Sequence, residues 1–419
     1  MNCPYRLGKE SLSCHEKMQV AVIGGGAAGF FSAISAKTHY PEAKVTIYEK
    51  SDKLLSKVKV SGGGRCNVTH HCLKVGDLVK FYPRGEKSLR KAFGIFSTTD
   101  TIKWFERRGV ELKTEADGRM FPTTDSSQTV IDCLMKETQK LGIGVKTKSA
   151  IKKLIIEDDG YVLSFKNGET KFVDKVIVAT GGSPRSEGFD WLRELGHSIE
   201  EPVPSLFTFN MPNERIKELM GVVASPATVK VMGTKLKSTG PLLITHWGMS
   251  GPAILKLSAF GARILHEMEY QFKALVNWTG EKSEQEIREV LTETVSRNPK
   301  KKVQNVNPFA LAGRLWEFLL FKIEISDSMI WDNMGKKNIN RLVHVLMNDE
   351  YQVSGKTTFK EEFVTCGGIS LQDVNIKTMQ SKLSPNLYFA GEVLDIDGVT
   401  GGFNFQNAWT SGFIAGKLG

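Results

Sequence analysis

Residues 20–29 read Val-Ala-Val-Ile-Gly-Gly-Gly-Ala-Ala-Gly, and twenty positions after the last glycine an acid, Glu49, closes a second apolar run, Val45-Thr46-Ile47-Tyr48. This spacing confines the chain to a strand–turn–helix–strand unit shaped for the diphosphate of a dinucleotide. Residues 18–23 are short, apolar and β-branched, as a strand covered on both faces must be. Gly24 permits the tight turn, Gly26 leaves room for the diphosphate, and Gly29 lets the following helix lie close on the sheet. Ala27 and Ala28 open that helix, predicted over 27–37, whose free N–H groups and dipole stabilise the anion without a lysine. Glu49 can accept hydrogen bonds from both ribose hydroxyls and repels a 2′-phosphate, which restricts the nucleotide to FAD or NAD. A glycine turn in an ordinary α/β protein is the plainer account of a lone Gly-x-Gly-x-x-Gly; strand, helix, second strand and acid in register set it aside.

A second glycine cluster follows. Residues 57–69 read Lys-Val-Lys-Val-Ser-Gly-Gly-Gly-Arg-Cys-Asn-Val-Thr and are expected to form a loop. Three adjacent glycines exceed the need of one turn and point to backbone amides laid against something flat or charged, with Arg65 adding positive charge. Helices are predicted over 89–108 and 128–142, and strands over 145–156 and 161–165, joined by Asp158-Asp159-Gly160. Residues 175–182 read as a buried strand ending in Gly181-Gly182, beside the first unit, where its glycines approach the nucleotide.

From about 196 to 357 the character changes. Short strand-like runs at 227–232 and 271–276 accompany the loop His246-Trp247-Gly248-Met249-Ser250-Gly251-Pro252 and a lysine run at 300–302. No second dinucleotide fingerprint follows a strand there, so a separate nicotinamide domain is not expected. The chain then returns: residues 386–392 form a strand running into Gly391-Glu392, and residues 395–406 lead into a final helix at 407–418. Such a helix N-terminus stabilises negative charge on a reduced flavin ring. The expected division is a leader at 1–17, a first cofactor-domain segment at 18–195, an inserted domain at 196–357 and a second cofactor-domain segment at 358–419.

At 419 residues, with 41% hydrophobic and 24% charged, the chain is too long for one typical core and too apolar for disorder to dominate. No apolar stretch approaches bilayer length and residues 1–17 lack the apolar segment of a signal peptide, so a cytoplasmic location without a membrane partner is expected. The leader reads as a disordered tail or a misassigned start ahead of Met18. The six cysteines, Cys3, Cys14, Cys66, Cys72, Cys133 and Cys366, include no Cys-x-x-Cys, against both a disulfide framework and a dithiol reductase. Cys66, His70, His71 and Cys72 cluster, but without zinc-finger spacing or a second ligand pair no metal is expected. Lys+Arg at 56 against Asp+Glu at 46 give +10, which favours a polyanionic partner; a solvated basic surface is the bland alternative.

These blocks resemble the YhiN-like BaiN/RdsA family of NAD(P)/FAD-dependent oxidoreductases, once called the aminoacetone oxidase family. The resemblance runs over 18–419 and is carried by residues 61–67, by 245–252, by Thr365-Cys366-Gly367-Gly368-Ile369 and by 388–406. Trp247 and Phe403 stand where tyrosine is common. The resemblance implies an α/β fold, a glutathione-reductase-type Rossmann FAD domain interrupted by an inserted substrate domain of β-barrel and helical parts, with NAD(P)H as a transient donor. It implies FAD contacts at Gly24, Gly26, Gly29, Glu49, Lys50, Ser61, Gly62, Gly63, Gly64, Ala150, Thr180, Gly181, Gly391, Glu392, Gly401, Gly402, Phe403, Asn404 and Gln406, Lys50 and Ala150 on resemblance alone. Ala27, Ala28, Arg65, Asn67 and Asp397 complete the candidate cofactor set.

Family members reduce an activated C=C bond, in 3-oxo bile acids or in uridine of large-subunit (23S) ribosomal RNA, and an older label is aminoacetone oxidation. Such a reduction needs a proton donor beside the flavin. Cys66 is one candidate, its thiol pKa lowered by Arg65; the plainer reading is a small buried thiol. His246 is another, able to donate a proton or bind phosphate, although a ring hydrogen bond holding its loop is the favoured reading. Asp395 and Asp397 either bind the ribityl chain or cap the final helix. Asn67-Val68-Thr69 matches a glycosylation acceptor only formally. Three functions stand: reduction of uridine in ribosomal RNA, which leads; oxidoreduction of a small enone or amine; and RNA binding by a flavoprotein without turnover. Oligomeric state is unassigned.

Overall fold

The computed structural model describes residues 17–358 and 364–419. The expected leader, with Cys3 and Cys14, therefore lies outside the described residues except for Lys17.

Gln19–Ile23, Lys44–Tyr48, Lys175–Val178 and Leu387–Phe389 are buried along almost their whole length, so each needs a neighbour on either edge. They pair in parallel, with Gln19–Ile23 between Lys175–Val178 and Lys44–Tyr48, and Leu387–Phe389 beyond Lys175–Val178. Val22 sits opposite Ile47 on one side and Ile177 on the other. Gly144–Lys146 extends one edge, and the short antiparallel strands Val374–Asn375 and Gln380–Ser381 finish the other.

Helix Ala27–His39 is buried from Ala28 to Ala36 because its small residues let it lie between neighbours. The last helix, Phe403–Ala415, packs against it: a Cβ on Gly412 would stand 2.9 Å from the Ala28 carbonyl oxygen, and one on Gly416 2.5 Å from that of Ser32.

Several predicted elements are redrawn. The single helix over 89–108 is two, Glu86–Ala92 and Thr98–Glu106, because Ser97 and Asp100 form a capping box that restarts the helix. The strand over 145–156 is also two. Gly144–Lys146 belongs to the parallel sheet, Lys148 turns through the left-handed region (φ 53°), and Ile151–Glu157 joins Gly160–Phe165 and Thr170–Val173 in a separate antiparallel meander. The final helix begins at Phe403, earlier than predicted.

The chain between strands Lys175–Val178 and Leu387–Phe389 builds a second core, with Trp278, Trp316 and Trp331 fully buried. Its sheet is antiparallel, in the order Asp349–Ser354, Gln271–Asn277, Val223–Val231, Lys237–Ile244, Gly248–Ser250, Thr208–Asn210, Lys356–Thr357. The first and last of these strands are separated only by Gly355 (φ 103°), which donates to Tyr270 O at 2.9 Å and accepts from Asn210 N at 3.1 Å. One segment thus serves both edges of the sheet. Where the two cores meet, Ile199–Ser205 pairs antiparallel with Val364–Ile369. No described helix is long and apolar enough to cross a membrane.

Candidate functional site

The central strands end at one edge, where turns from distant parts of the chain lie side by side. Gly24 N donates to Tyr48 O and Ala179 N to Ile23 O, each at 2.8 Å, and Ala390 N donates to Val178 O at 2.9 Å. These bonds align Gly24–Gly29, Glu49–Lys50, Thr180–Gly181 and Gly391–Glu392.

Gly24 (φ 115°) admits no side chain, since a Cβ would lie 2.3 Å from Ala179 O; on Gly29 it would lie 1.9 Å from Gly24 O. Packing demands both. Gly26 differs. It is the N-cap of helix Ala27–His39 with an ordinary φ of −94°, and a Cβ there meets nothing within 4 Å. The space beside it, at a helix N-terminus rich in free N–H groups, is what a diphosphate requires. Open space also flanks Gly63, Gly64 and Gly181. Ala28 is a spacer, its Cβ 2.8 Å from where a Gly391 side chain would begin.

Glu49 braces this turn. Its Oε2 accepts from Gly25 N at 2.8 Å, and its Oε1 from Ser51 N at 2.8 Å and Ser51 Oγ at 2.9 Å. With about four acceptor positions on a carboxylate, one remains for a ribose hydroxyl rather than the two expected. Ser149 N donates to Glu49 O at 2.8 Å, which brings Ala150 to the same corner, and Lys50 is exposed there.

The triple-glycine stretch is not wholly a loop. Segment Ser56–Gly64 starts helical and breaks at Ser61 (ψ 146°), after which Gly62, Gly63 and Gly64 are all left-handed (φ 58°, 70° and 86°), a run closed to residues with a Cβ. Leu55 N donates to Gly25 O at 2.9 Å and Lys57 Nζ lies 2.7 Å from Glu392 Oε2, so the segment is tied to both the first and the fourth turn. Glu392 Oε1 also accepts from Thr365 N at 2.9 Å.

Arg65 does not activate Cys66. Its guanidinium bonds Glu115 at 2.7 Å, lies 3.6 Å from Asp125 and stacks over Phe121 at 4.0 Å. Cys66 is fully buried, and desolvation of the thiolate pushes its pKa up to about 12, against a weaker lowering by Ser61. Asn67 is buried as well, accepting from Met120 N at 3.3 Å.

The closing stretch meets the residues that follow the triple-glycine segment. Gly402 (φ 89°) is the N-cap of the last helix, and a Cβ on it would stand 2.6 Å from the Thr69 carbonyl. Trp409 Nε1 donates to Val68 O at 2.9 Å. Three residues expected to face FAD instead spend their side chains on this junction. Gln406 Oε1 accepts from Thr69 Oγ1 at 2.6 Å and its amide donates to Thr410 Oγ1 at 3.0 Å. Asn404 clasps Gly398, accepting from its N at 2.8 Å and donating to its O at 2.9 Å. Phe403 stacks on Phe81 and His70 at 4.3 and 4.7 Å. The turn therefore offers a ligand its backbone, through Gly401, Gly402 and the first N–H groups of the helix.

The Asp397 side chain does not cap the helix, and its oxygens are committed elsewhere than to a ribityl chain. It is fully buried, both oxygens taken by Arg84 and one also by Ser205 Oγ at 2.8 Å; burial pushes its carboxyl up to about 6 despite Arg84. Arg84 escaped notice in the sequence because Phe81-Tyr82-Pro83-Arg84-Gly85 reads as basic surface.

His246 is exposed at a hairpin tip beside exposed Trp247, ring centroids 4.6 Å apart. The tip is held by Thr245 Oγ1, which accepts from Trp247 N and Gly248 N at 3.3 Å, and not by a bond from the imidazole as favoured. The ring has no hydrogen-bond partner among the described residues, which also contain no group of three or more His, Cys, Asp or Glu placed to hold a metal.

The HI0933-like protein Rossmann domain matches residues 18–418. The chain belongs to that family. Over 407 residues it is 25% identical to the 3-dehydro-bile acid delta(4,6)-reductase of Clostridium scindens, covering 95% of this chain and 98% of the relative. Over 411 residues it is 28% identical to the ribosomal RNA dihydrouridine synthase of Escherichia coli, covering 96% and 98%. In fold it resembles the 3-ketosteroid delta1-dehydrogenase of Sterolibacterium denitrificans, with a TM-score of 0.51 at 12% identity over 95% of this chain and 98% of that one. The family and its relatives make the chain an FAD-dependent oxidoreductase with a Rossmann-type cofactor domain. The open space at Gly26 and the helix N-terminus beside it suit that cofactor.

Proposed function

We propose that the protein reduces the activated C=C bond of uridine in ribosomal RNA to dihydrouridine, with NAD(P)H as electron donor. Bound FAD supplies two-electron hydride chemistry. The open space beside Gly26 at the N-terminus of helix Ala27–His39, with further open space at Gly63, Gly64 and Gly181, is the observation that supports the reading. Gly26 and the amides of helix Ala27–His39 hold the diphosphate, Glu49 the ribose, and the N-terminus of helix Phe403–Ala415 stabilises negative charge. Residues 18–195 and 358–419 form the cofactor domain and 196–357 the substrate domain.

The net charge of +10 and the exposed His246–Trp247 tip favour a phosphate-rich partner with bases free to stack. With the Cys66 thiol sealed from solvent and made a weaker acid by burial, His246 is the remaining candidate for proton donor. Dihydrouridine in ribosomal RNA, counted by mass spectrometry in cells with and without the gene, is expected to fall when the gene is lost; unchanged content removes this reading. The similarity to a bile-acid reductase across nearly the whole chain favours a second reading, reduction of a steroid enone, supported if such enones drive NADH or NADPH oxidation.

A further inference from the structure

The turn that closes the cofactor site is gripped from outside. Arg84 Nε meets Asp397 Oδ1 at 2.5 Å and Arg84 Nη2 meets Oδ2, a two-pronged pair with a fully buried carboxylate. Arg84 Nη1 donates to Ala259 O at 2.5 Å, and Ser205 Oγ, bonded to the same Asp397 oxygen, lies 3.4 Å from Nη2. Ser205 ends the strand Ile199–Ser205 and Ala259 lies in helix Pro252–Phe260, both on the insert side. One guanidinium thus bonds the cofactor turn and the insert at once.

The surroundings hold that guanidinium in register. Arg84 and Asp397 form an antiparallel backbone bridge, Val399 N donates to Phe81 O at 2.9 Å, and Tyr82 OH donates to Phe403 O at 2.6 Å. A Cβ on Gly85 (φ 85°) would lie 2.7 Å from Ile396. A second pair from the same turn, Asp395 with Arg263 of insert helix Ala262–Glu267, is looser at 3.8 Å, and Asp395 Oδ1 and Arg263 Nη2 are buried without a hydrogen bond.

We propose that Arg84 is a positioning residue: by gripping Asp397 and the insert together, it sets the Gly401-Gly402 turn for FAD, so that cofactor affinity depends on docking of the inserted domain. This rests on the reading that the turn faces FAD. A lysine offers a point charge and not a planar fork, so it replaces Arg84 only in part.

The test uses the full-length chain stripped of flavin and titrated with FAD, alongside its thermal midpoint without FAD, for wild type, Arg84→Lys, Arg84→Met and Arg84→Met with Asp397→Leu. The Met variant is expected to lose stability, and the double variant to recover it, since no unpaired buried carboxylate remains. The FAD Kd is expected to rise about tenfold or more in both, and less with Lys, since misplacing a binding group by an ångström is costly. A double variant that regains FAD affinity together with its thermal midpoint, or a Kd unchanged in all variants, overturns the proposal. A wild-type chain that takes up no FAD instead removes the flavin reading beneath it.

Discussion

Beside an arginine a thiol ordinarily ionises more readily, yet the pKa of Cys66 stands near 12 because the Arg65 guanidinium turns to Glu115 and Asp125 while the sulfur is sealed from water. A raised thiol pKa keeps the proton on at every pH below it, so alkylation of the native protein is expected to show no thiolate at Cys66 between about pH 6 and 9. Cys66→Ala should cost about 1 kcal/mol of stability for the lost sulfur and leave kcat, measured with flavin content matched, within about twofold. A loss of two orders of magnitude would restore the thiol as proton donor. The sequence placed Arg65 beside Cys66 because they are neighbours along the chain; the partner that decides the matter, Glu115, is far along it. The same distance hid the pairing of Arg84 with Asp397 and of Thr69 with Gln406, which commits the side chains of two candidate cofactor residues to structural bonds.

At the scale of elements, the glycine turn divides its labour between positions that look alike in sequence. Gly26→Ala should fold as the wild type does, its apo thermal midpoint within about 2 °C, because open space receives the methyl group, while FAD affinity falls about tenfold or more as that methyl crowds the diphosphate. Gly29→Ala should instead destabilise the apo-protein by about 1–3 kcal/mol, its methyl driven against the Gly24 carbonyl. Equal effects from both variants, read by thermal melting and flavin titration, would contradict the assignment. This unit was legible because strand period, glycine spacing and helix entry are local signals. The break in the predicted helix over 89–108 was missed, although Gly94 and the Ser97–Asp100 pair that forms the capping box stand in the sequence. The left-handed run at Gly62, Gly63 and Gly64 was not legible, since glycine permits many conformations and only the surrounding structure selects one.

For the molecule as a whole, the sequence led to the expectation that one domain interrupts another, because its apolar pattern changes and then returns. It did not reveal the seam: pairing of Ile199–Ser205 with Val364–Ile369 depends on strand order across the insert, which no local pattern encodes. The +10 charge acts at this scale. Binding to a uridine-rich ribosomal RNA fragment, followed by fluorescence anisotropy, is expected to weaken about tenfold or more between about 50 and 200 mM salt. Reduction of a neutral steroid enone should be nearly indifferent to salt; an RNA affinity just as indifferent would detach the charge from function.

The first helix packs against the last, and in the proposed site the turn opening that last helix supplies one wall of the nucleotide cradle. During translation the Gly24–Gly29 turn leaves the ribosome early, but its far wall is delivered only when Phe403–Ala415 emerges. Capture of the flavin is therefore expected only at the end of synthesis, and a prematurely terminated product is expected to be colourless.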